Sequence, residues 1–366
     1  MINRCVGCGA KIQTVDPLKK GYIKSEVYLK NPDNFYCERC YNLIHYNRNL
    51  VVEINEQEFQ NNIKKIAQSG ALVVNIVDIY DLEGTIVPNI NDYFPDNDLI
   101  IVGNKFDLFL NSVKVTRVKN YLINFLKEKS ITARSTLIIS SFNENDIIRL
   151  LNEIDRIQAG RYVYLFGMTN VGKSSIVNGI IKLLQGKQGK VTVSNIVGTT
   201  LDFIKIALPN KTFLIDTPGI LNYHQATYYL DQEHMSLLTP RKFIKPRVFQ
   251  LNPNQALFIG GFCVFKFYEG VKSSFVVNVP NGMVIHRTKL DNYQSFYDEH
   301  KDDILLIPNE NERNKLGKFK KYNFSFSDEK IDITISGLGF VTLVGVGQVE
   351  VECFEKIKVS SRKAII

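Results

Sequence analysis

Residues 162–178 read YVYLFGMTNVGKSSIVN, and this stretch decides the fold. Gly167 and Gly172 bracket four residues and are followed at once by Lys173 and Ser174, the G-x-x-x-x-G-K-S spacing of a phosphate loop. Each residue type has a physical reason. Glycines let backbone N–H groups turn onto phosphate oxygens, and Lys173 offsets the β/γ charge. Ser174 offers its hydroxyl to Mg²⁺, and Val171 and Ser175 complete the loop and the first helical turn. An apolar strand before the loop and an amphipathic helix after it are the context this motif needs.

Working outward, 366 residues exceed what one ordinary core organises, so two or three domains are expected. No apolar run is long enough to span a bilayer, and MINRCVGCGA lacks the core of a secretion signal. A cytoplasmic location with no membrane partner is therefore expected. The net charge is +8, and the excess of Lys and Arg sits at the two ends while the middle is balanced. Basic ends suit a polyanion such as RNA; a solvated basic surface is the plain alternative.

At the N-terminus, Cys5-Val-Gly-Cys8 and Cys37-Glu-Arg-Cys40 form two C-x-x-C pairs. Four thiolates make a closed tetrahedral set for structural Zn²⁺, with no position left for a substrate water. The long gap between the pairs fits a treble-clef-like finger over 1–49, folded by its metal. His45 is a weaker ligand candidate.

From about residue 50, strands and helices alternate. ALVVNIVD (71–78) is a continuous apolar run of the buried parallel-strand kind, and a second strand ends in GNKFD. There Asn104, Lys105 and Asp107 form N-K-x-D, whose carboxylate accepts two hydrogen bonds from guanine that adenine cannot donate. Ser140-Ser141 follows a third strand, where a backbone N–H would reach the guanine O6; a serine-capped turn is nearly as good a reading, since Ser141 replaces the usual alanine. Beyond the loop, the helix is expected to end near Leu184 and give way to a flexible QGKQGK segment. In VGTTLDF, Thr200 is the candidate to close over Mg²⁺ and the γ-phosphate, with Thr199 as the alternative. Finally, Asp216-Thr-Pro-Gly219 reads as D-x-x-G, with the carboxylate toward Mg²⁺ and the Gly219 N–H toward the γ-phosphate.

These elements form one guanine-nucleotide set in an unusual order, because base recognition precedes phosphate binding. A doubly wound sheet tolerates a new pair of termini without changing which strands touch, so the domain over 50–222 reads as circularly permuted. The segment after Gly219 then leads straight into the C-terminal domain, 223–366, and should register the γ-phosphate.

Two C-x-x-C pairs, N-K-x-D, G-x-x-N-x-G-K-S-S, G-T-T-L-D and D-T-P-G, in that order, resemble the YqeH-type circularly permuted GTPases of bacteria. The resemblance is close over the finger and the nucleotide domain. It implies a P-loop-type doubly wound sheet binding GTP/GDP and Mg²⁺, with Lys173, Thr200, Asp216 and Gly219 serving hydrolysis. It also implies a GTP-hydrolysing assembly factor for the small (30S) ribosomal subunit that contacts rRNA or ribosomal protein; DNA is not expected.

Ile220 stands where small GTPases carry a water-orienting glutamine, so slow intrinsic hydrolysis is expected. The resemblance makes Asn170 a candidate K⁺ ligand beside the phosphates; an asparagine that simply shapes the loop is the equal alternative. His224 and His234 read as solvated loop residues.

The C-terminal third is β-rich, with Pro280-Asn-Gly282 as a hairpin signal and a helix near 292–300. Cys263 and Cys353 fall in strand-like runs and read as packing residues. Phe319, Tyr322 and Phe324 are interleaved with lysines, suiting either base stacking or a core. The rival to the ribosomal reading is a nucleotide-gated protein-binding module whose hydrolysis is incidental.

Overall fold

A computed structural model describes residues 5, 10–16, 21–30, 37–38, 56–188, 193–195, 204–210, 212–240 and 242–366. The chain divides into two compact units. The first lies within Met1–Asp78, Val87–Lys105 and Leu122–Leu221; the second is Ile79–Ile86, Phe106–Tyr121 and Asn222–Ile366. Two short stretches inside the span expected to be one nucleotide domain thus group with the C-terminal unit.

The first unit is built on one sheet. Among the described residues its strands are β1 (Leu72–Asp78), β2 (Leu99–Asn104), β3 (Ser135–Ile138), β4 (Val163–Gly167), β5 (Val193–Asn195), β6 (Ile204–Ala207) and β7 (Phe213–Asp216), in the order β3-β2-β1-β4-β7-β6-β5. Neighbours from β3 to β7 are parallel, and β6 and β5 are antiparallel. Every residue of β1 and β2 is buried, as their unbroken apolar runs require when helices cover both faces of a parallel sheet. The core joins Val74, Ile76, Val102 and Leu165 to Ile147, Leu150 and Ile154 of helix Glu144–Gln158 and to Ile176 and Ile180 of helix Lys173–Gln188. That second helix runs past Leu184, so the first four residues of the segment expected to be flexible are helical. Near the N-terminus, the Gln13 N–H donates to the Gly21 carbonyl and the Ile23 N–H to the Gln13 carbonyl, and a helix spans Ser25–Lys30.

The second unit holds two antiparallel five-stranded sheets. One orders β12 (Ile285–Lys289), β9 (Gln255–Ile259), β10 (Cys263–Gly270), β16 (Gly347–Phe354) and β13 (Phe319–Phe326). The other orders β17 (Val359–Lys363), β14 (Ile331–Ile335), β15 (Gly339–Val344), β11 (Ser273–Asn278) and β8 (Arg247–Leu251). Alternate side chains of both, including Phe265, Phe267, Phe275, Val277, Ile333 and Leu343, form one core. Tyr322 and Phe324 pack on that core, and Phe319 stacks on Phe354 at 4.3 Å. Cys263 and Cys353 are buried opposite one another across β10 and β16.

Two expectations for this unit are corrected. Pro280–Gly282 does not close a hairpin: β11 pairs with β8 and β15, while β12 pairs with β9 in the other sheet. A turn signal specifies reversal of the chain, and burial of alternate faces decides which strand is bonded. His234 is not a solvated loop residue either. Its Nδ1 lies 2.9 Å from Glu312 Oε2, and Glu312 closes a capping box with Asn309 at helix Glu310–Leu316.

Candidate nucleotide-binding site

The first unit brings the phosphate loop and part of the base-recognition motif together. β4 ends at Gly167, the loop follows, and the helix begins at Lys173, so its first N–H groups face the loop as anion binding requires. Gly172 has φ +88°, and a Cβ there would sit 2.2 Å from Asn104 Nδ2. Only glycine fits this place. Asn104 itself is fully buried at the end of β2. Its Nδ2 donates to the Val171 carbonyl at 2.9 Å, and its Oδ1 accepts from the Ser141 N–H at 3.0 Å. One amide thus joins N-K-x-D, the phosphate loop and the Ser140-Ser141 turn. Ser140 donates its N–H to Asp146 Oδ2 at 2.9 Å and accepts from the Phe142 N–H at 3.2 Å, so this turn is held in shape by its own hydroxyl.

Lys105 has a left-handed backbone, and its ammonium lies 2.6 Å from Asp78 Oδ2 at the end of β1. Asp78 was not singled out in the sequence. Its signal was available: a carboxylate closing an apolar run at the carboxyl edge of a parallel sheet, where ligands of such sheets bind. Asp107 lies two residues beyond Lys105, in the short turn Phe106–Leu108 of the second unit.

Lys173 is buried and donates to both Asp216 Oδ1 and the Thr217 carbonyl. Asp216 ends β7, also buried, so an ammonium and a carboxylate share one pocket of the fold. Lys173 and Asp216 thus face each other; such a pair could hold a metal-bound phosphate, the ammonium taking phosphate oxygen and the carboxylate the metal. Beyond Asp216, the chain is fixed against the loop by its backbone. The Ile220 N–H donates to the Gly167 carbonyl at 3.1 Å, and the Thr169 N–H donates to the Ile220 carbonyl at 2.8 Å. Ile220 is thus held at the loop by its main chain, a contact that its side-chain type does not signal. Asn170 is exposed with φ 63°, a conformation asparagine tolerates better than most residues. Ser174 and Ser175 lie in the first helical turn, and Gly219 sits against Thr169.

Cys5 and Cys37 are both buried, and the Cys37 N–H donates to Cys5 Sγ at 3.1 Å. A backbone N–H aimed at sulfur suits a thiolate. Cys8, Cys40, His45, Thr199 and Thr200 lie outside the described residues. No helix among the described residues is long and apolar enough to cross a membrane.

A family model described as "YqeH-like, C-terminal" matches residues 272–365, and one described as "50S ribosome-binding GTPase" matches residues 162–244. The protein YqeH of Bacillus subtilis (strain 168), described as uncharacterized, is 36% identical over 339 residues, covering 93% of this chain and 92% of its own. NO-associated protein 1, chloroplastic/mitochondrial, of Arabidopsis thaliana is 24% identical, covering 93% of this chain and 70% of its own. Nucleolar GTP-binding protein 2 of Kluyveromyces lactis is 32% identical over 168 residues, which cover 44% of this chain and 31% of its own.

Proposed function

The chain belongs to the YqeH family of circularly permuted, GTP-binding GTPases, and from that premise we propose that it is a nucleotide-operated switch in small ribosomal subunit assembly. The observation that carries the switch is covalent. Three residues after Gly219 the chain passes into the second unit, at Asn222. A segment that senses the γ-phosphate is thereby continuous with the C-terminal domain.

In this reading the backbone from Gly167 to Ser174 cradles the phosphates, Lys173 offsets their charge, and Asp107 selects guanine. Ser174, Thr200 and Asp216 hold Mg²⁺, which when bound neutralises charge on the β- and γ-phosphates. Gly219 reads the γ-phosphate. Ile220 has no group to orient water, so intrinsic hydrolysis is slow and a partner or a K⁺ at Asn170 supplies the missing charge. Cys5, Cys8, Cys37 and Cys40 hold one Zn²⁺ that folds the N-terminal finger over 1–49.

Support for a ribosomal particle comes from the family resemblance, from basic ends suited to RNA, and from a relative named as nucleolar. The small subunit rests on the resemblance alone, and one matched model carries the 50S subunit in its description. Sedimentation with purified 30S and 50S particles in GDP, GTP and a non-hydrolysable analogue tests this. Binding to 30S that depends on the nucleotide and weakens steeply with salt is expected. Co-sedimentation with 50S alone, or equally in every nucleotide state, would overturn it.

A further inference from the structure

Within the second unit, a side-chain cluster outside every nucleotide motif gathers one imidazole and two carboxylates. Asp231 caps helix Gln232–Leu238, His234 sits in its first turn, and Glu312 belongs to helix Glu310–Leu316, 78 positions beyond His234. One ligand atom from each lies within 4.8 Å of the other two. His234 Nδ1 stands 3.0 Å from Glu312 Oε1, 2.9 Å from Oε2 and 3.8 Å from Asp231 Oδ2. The last separation is too long for a hydrogen bond. Two ligands on one tetrahedral zinc ion, each about 2.1 Å from it, lie roughly 3.4 Å apart, and the separations here bracket that value. The carboxylates are held from outside as well. Glu312 is buried; its Oε1 accepts the Asp231 N–H and its Oε2 the Asn309 N–H, both at 2.8 Å. Asp231 accepts the His234 N–H at Oδ1, 2.9 Å, and Asn309 Nδ2 at Oδ2, 3.3 Å. Contacts of this kind orient the ligands of an ion.

We propose that Asp231, His234 and Glu312 form a Zn²⁺ site that clips residues 231–234 to residues 309–312. Two carboxylates and a neutral imidazole carry two negative charges, which a divalent cation balances. The imidazole nitrogen favours zinc over Mg²⁺ and Ca²⁺, which take oxygen. His234 Nε2 makes no hydrogen bond among the described residues, so the ring proton can reside there and leave the Nδ1 lone pair to the ion. Asp231 is exposed, and on its side a water completes the four ligands. The site is separate from the four cysteines and does not depend on the nucleotide. Nitrogen and oxygen donors open to solvent hold zinc less tightly than four thiolates, so this ion exchanges during purification and is restored by adding it.

The test uses the full chain as purified, in excess Mg²⁺ and without nucleotide, with Zn²⁺ or Co²⁺ as the added ion. By equilibrium dialysis the wild type should take up about one further Zn²⁺ per chain, and its thermal midpoint should rise as Zn²⁺ is added. Co²⁺ at this site should show ligand-field bands without the thiolate charge-transfer absorption of cobalt on cysteine, which separates it from the finger. Asp231→Asn keeps a helix-capping side chain, and His234→Ala removes the imidazole. Each should weaken binding of the added ion at least about tenfold and cancel the rise in midpoint. His300→Ala, which breaks the exposed His300–Asp303 pair, should change neither. If His234→Ala fails to fold, Asp231→Asn decides. No uptake beyond the finger's ion, uptake only with the thiolate absorption, or uptake unchanged in Asp231→Asn would each overturn the site.

Discussion

The side-chain amide of Asn104 lies where a side chain on Gly172 would have to go: a Cβ at residue 172 would meet Asn104 Nδ2 at 2.2 Å. The phosphate loop and the base-recognition motif therefore fit together through the absence of one carbon. Gly172→Ala should push Asn104 off the Val171 carbonyl and force a positive φ on alanine. Backbone strain and overpacking each cost roughly 1–3 kcal/mol. Loss of stability on that scale, seen as a lower urea midpoint, should accompany GDP binding weakened by at least about tenfold. A variant with wild-type affinity would show that the loop does not need this fit.

Asp107→Asn keeps one acceptor for the guanine N1–H but replaces the other oxygen with an NH₂ that would face the guanine N2–H₂ donor. Preference should move from GTP toward xanthosine triphosphate, whose O2 accepts where guanine donates. Competition titrations with the two nucleotides check this; unchanged guanine selectivity would remove Asp107 from the site.

Metal analysis of the purified chain should find about one zinc ion per chain. Cys37→Ser should lose it and destabilise the N-terminal region, because small metal-folded domains have too little core to stand alone. A metal-free wild type with an intact N-terminal region would rule out the finger.

Hydrolysis should be faster in K⁺ than in Na⁺ at equal ionic strength, and Asn170→Ala should abolish the difference while leaving a slow basal rate. Equal rates in both salts would leave Asn170 with the loop-shaping role its left-handed backbone already accounts for.

In the C-terminal sheets, burial pushes the Glu350 carboxyl up, but hydrogen bonding and charge from Lys266, with Lys321 adding to both, outweigh it and hold the group below the usual carboxylate range. A depressed folded-state value means the stabilisation is present above the ordinary glutamate value of about 4.3 and is lost as pH falls through the lower folded one. Glu350→Gln should therefore lower the thermal midpoint at pH 7 and make little difference near pH 3. An equal effect at both would assign the loss to packing.

The legible parts of this protein are those whose signal is local. β1, β2 and the phosphate loop announce themselves because an unbroken apolar run and a fixed glycine spacing act over fewer than about ten residues. Elsewhere the local reading fell short, and for His234 and the Pro-Asn-Gly turn a distant partner decided. The helix beginning at Lys173 continues through Gln188 despite its polar end, and His234 leaves solvent for Glu312, 78 positions away. The Pro-Asn-Gly turn reverses the chain but joins strands of different sheets.

By itself the order of residues determined that this is a permuted guanine-nucleotide domain between a cysteine-rich start and a β-rich end, since each motif carries its chemistry within a few consecutive positions. Tertiary structure alone decided which groups meet. Asn104 reaches Val171 across 67 positions, Gln225 reaches Asp81 across 144, and Gly337 reaches Asp81 across 256. No local propensity specifies such pairs. They exist because a buried polar group must find its partner wherever packing brings one near.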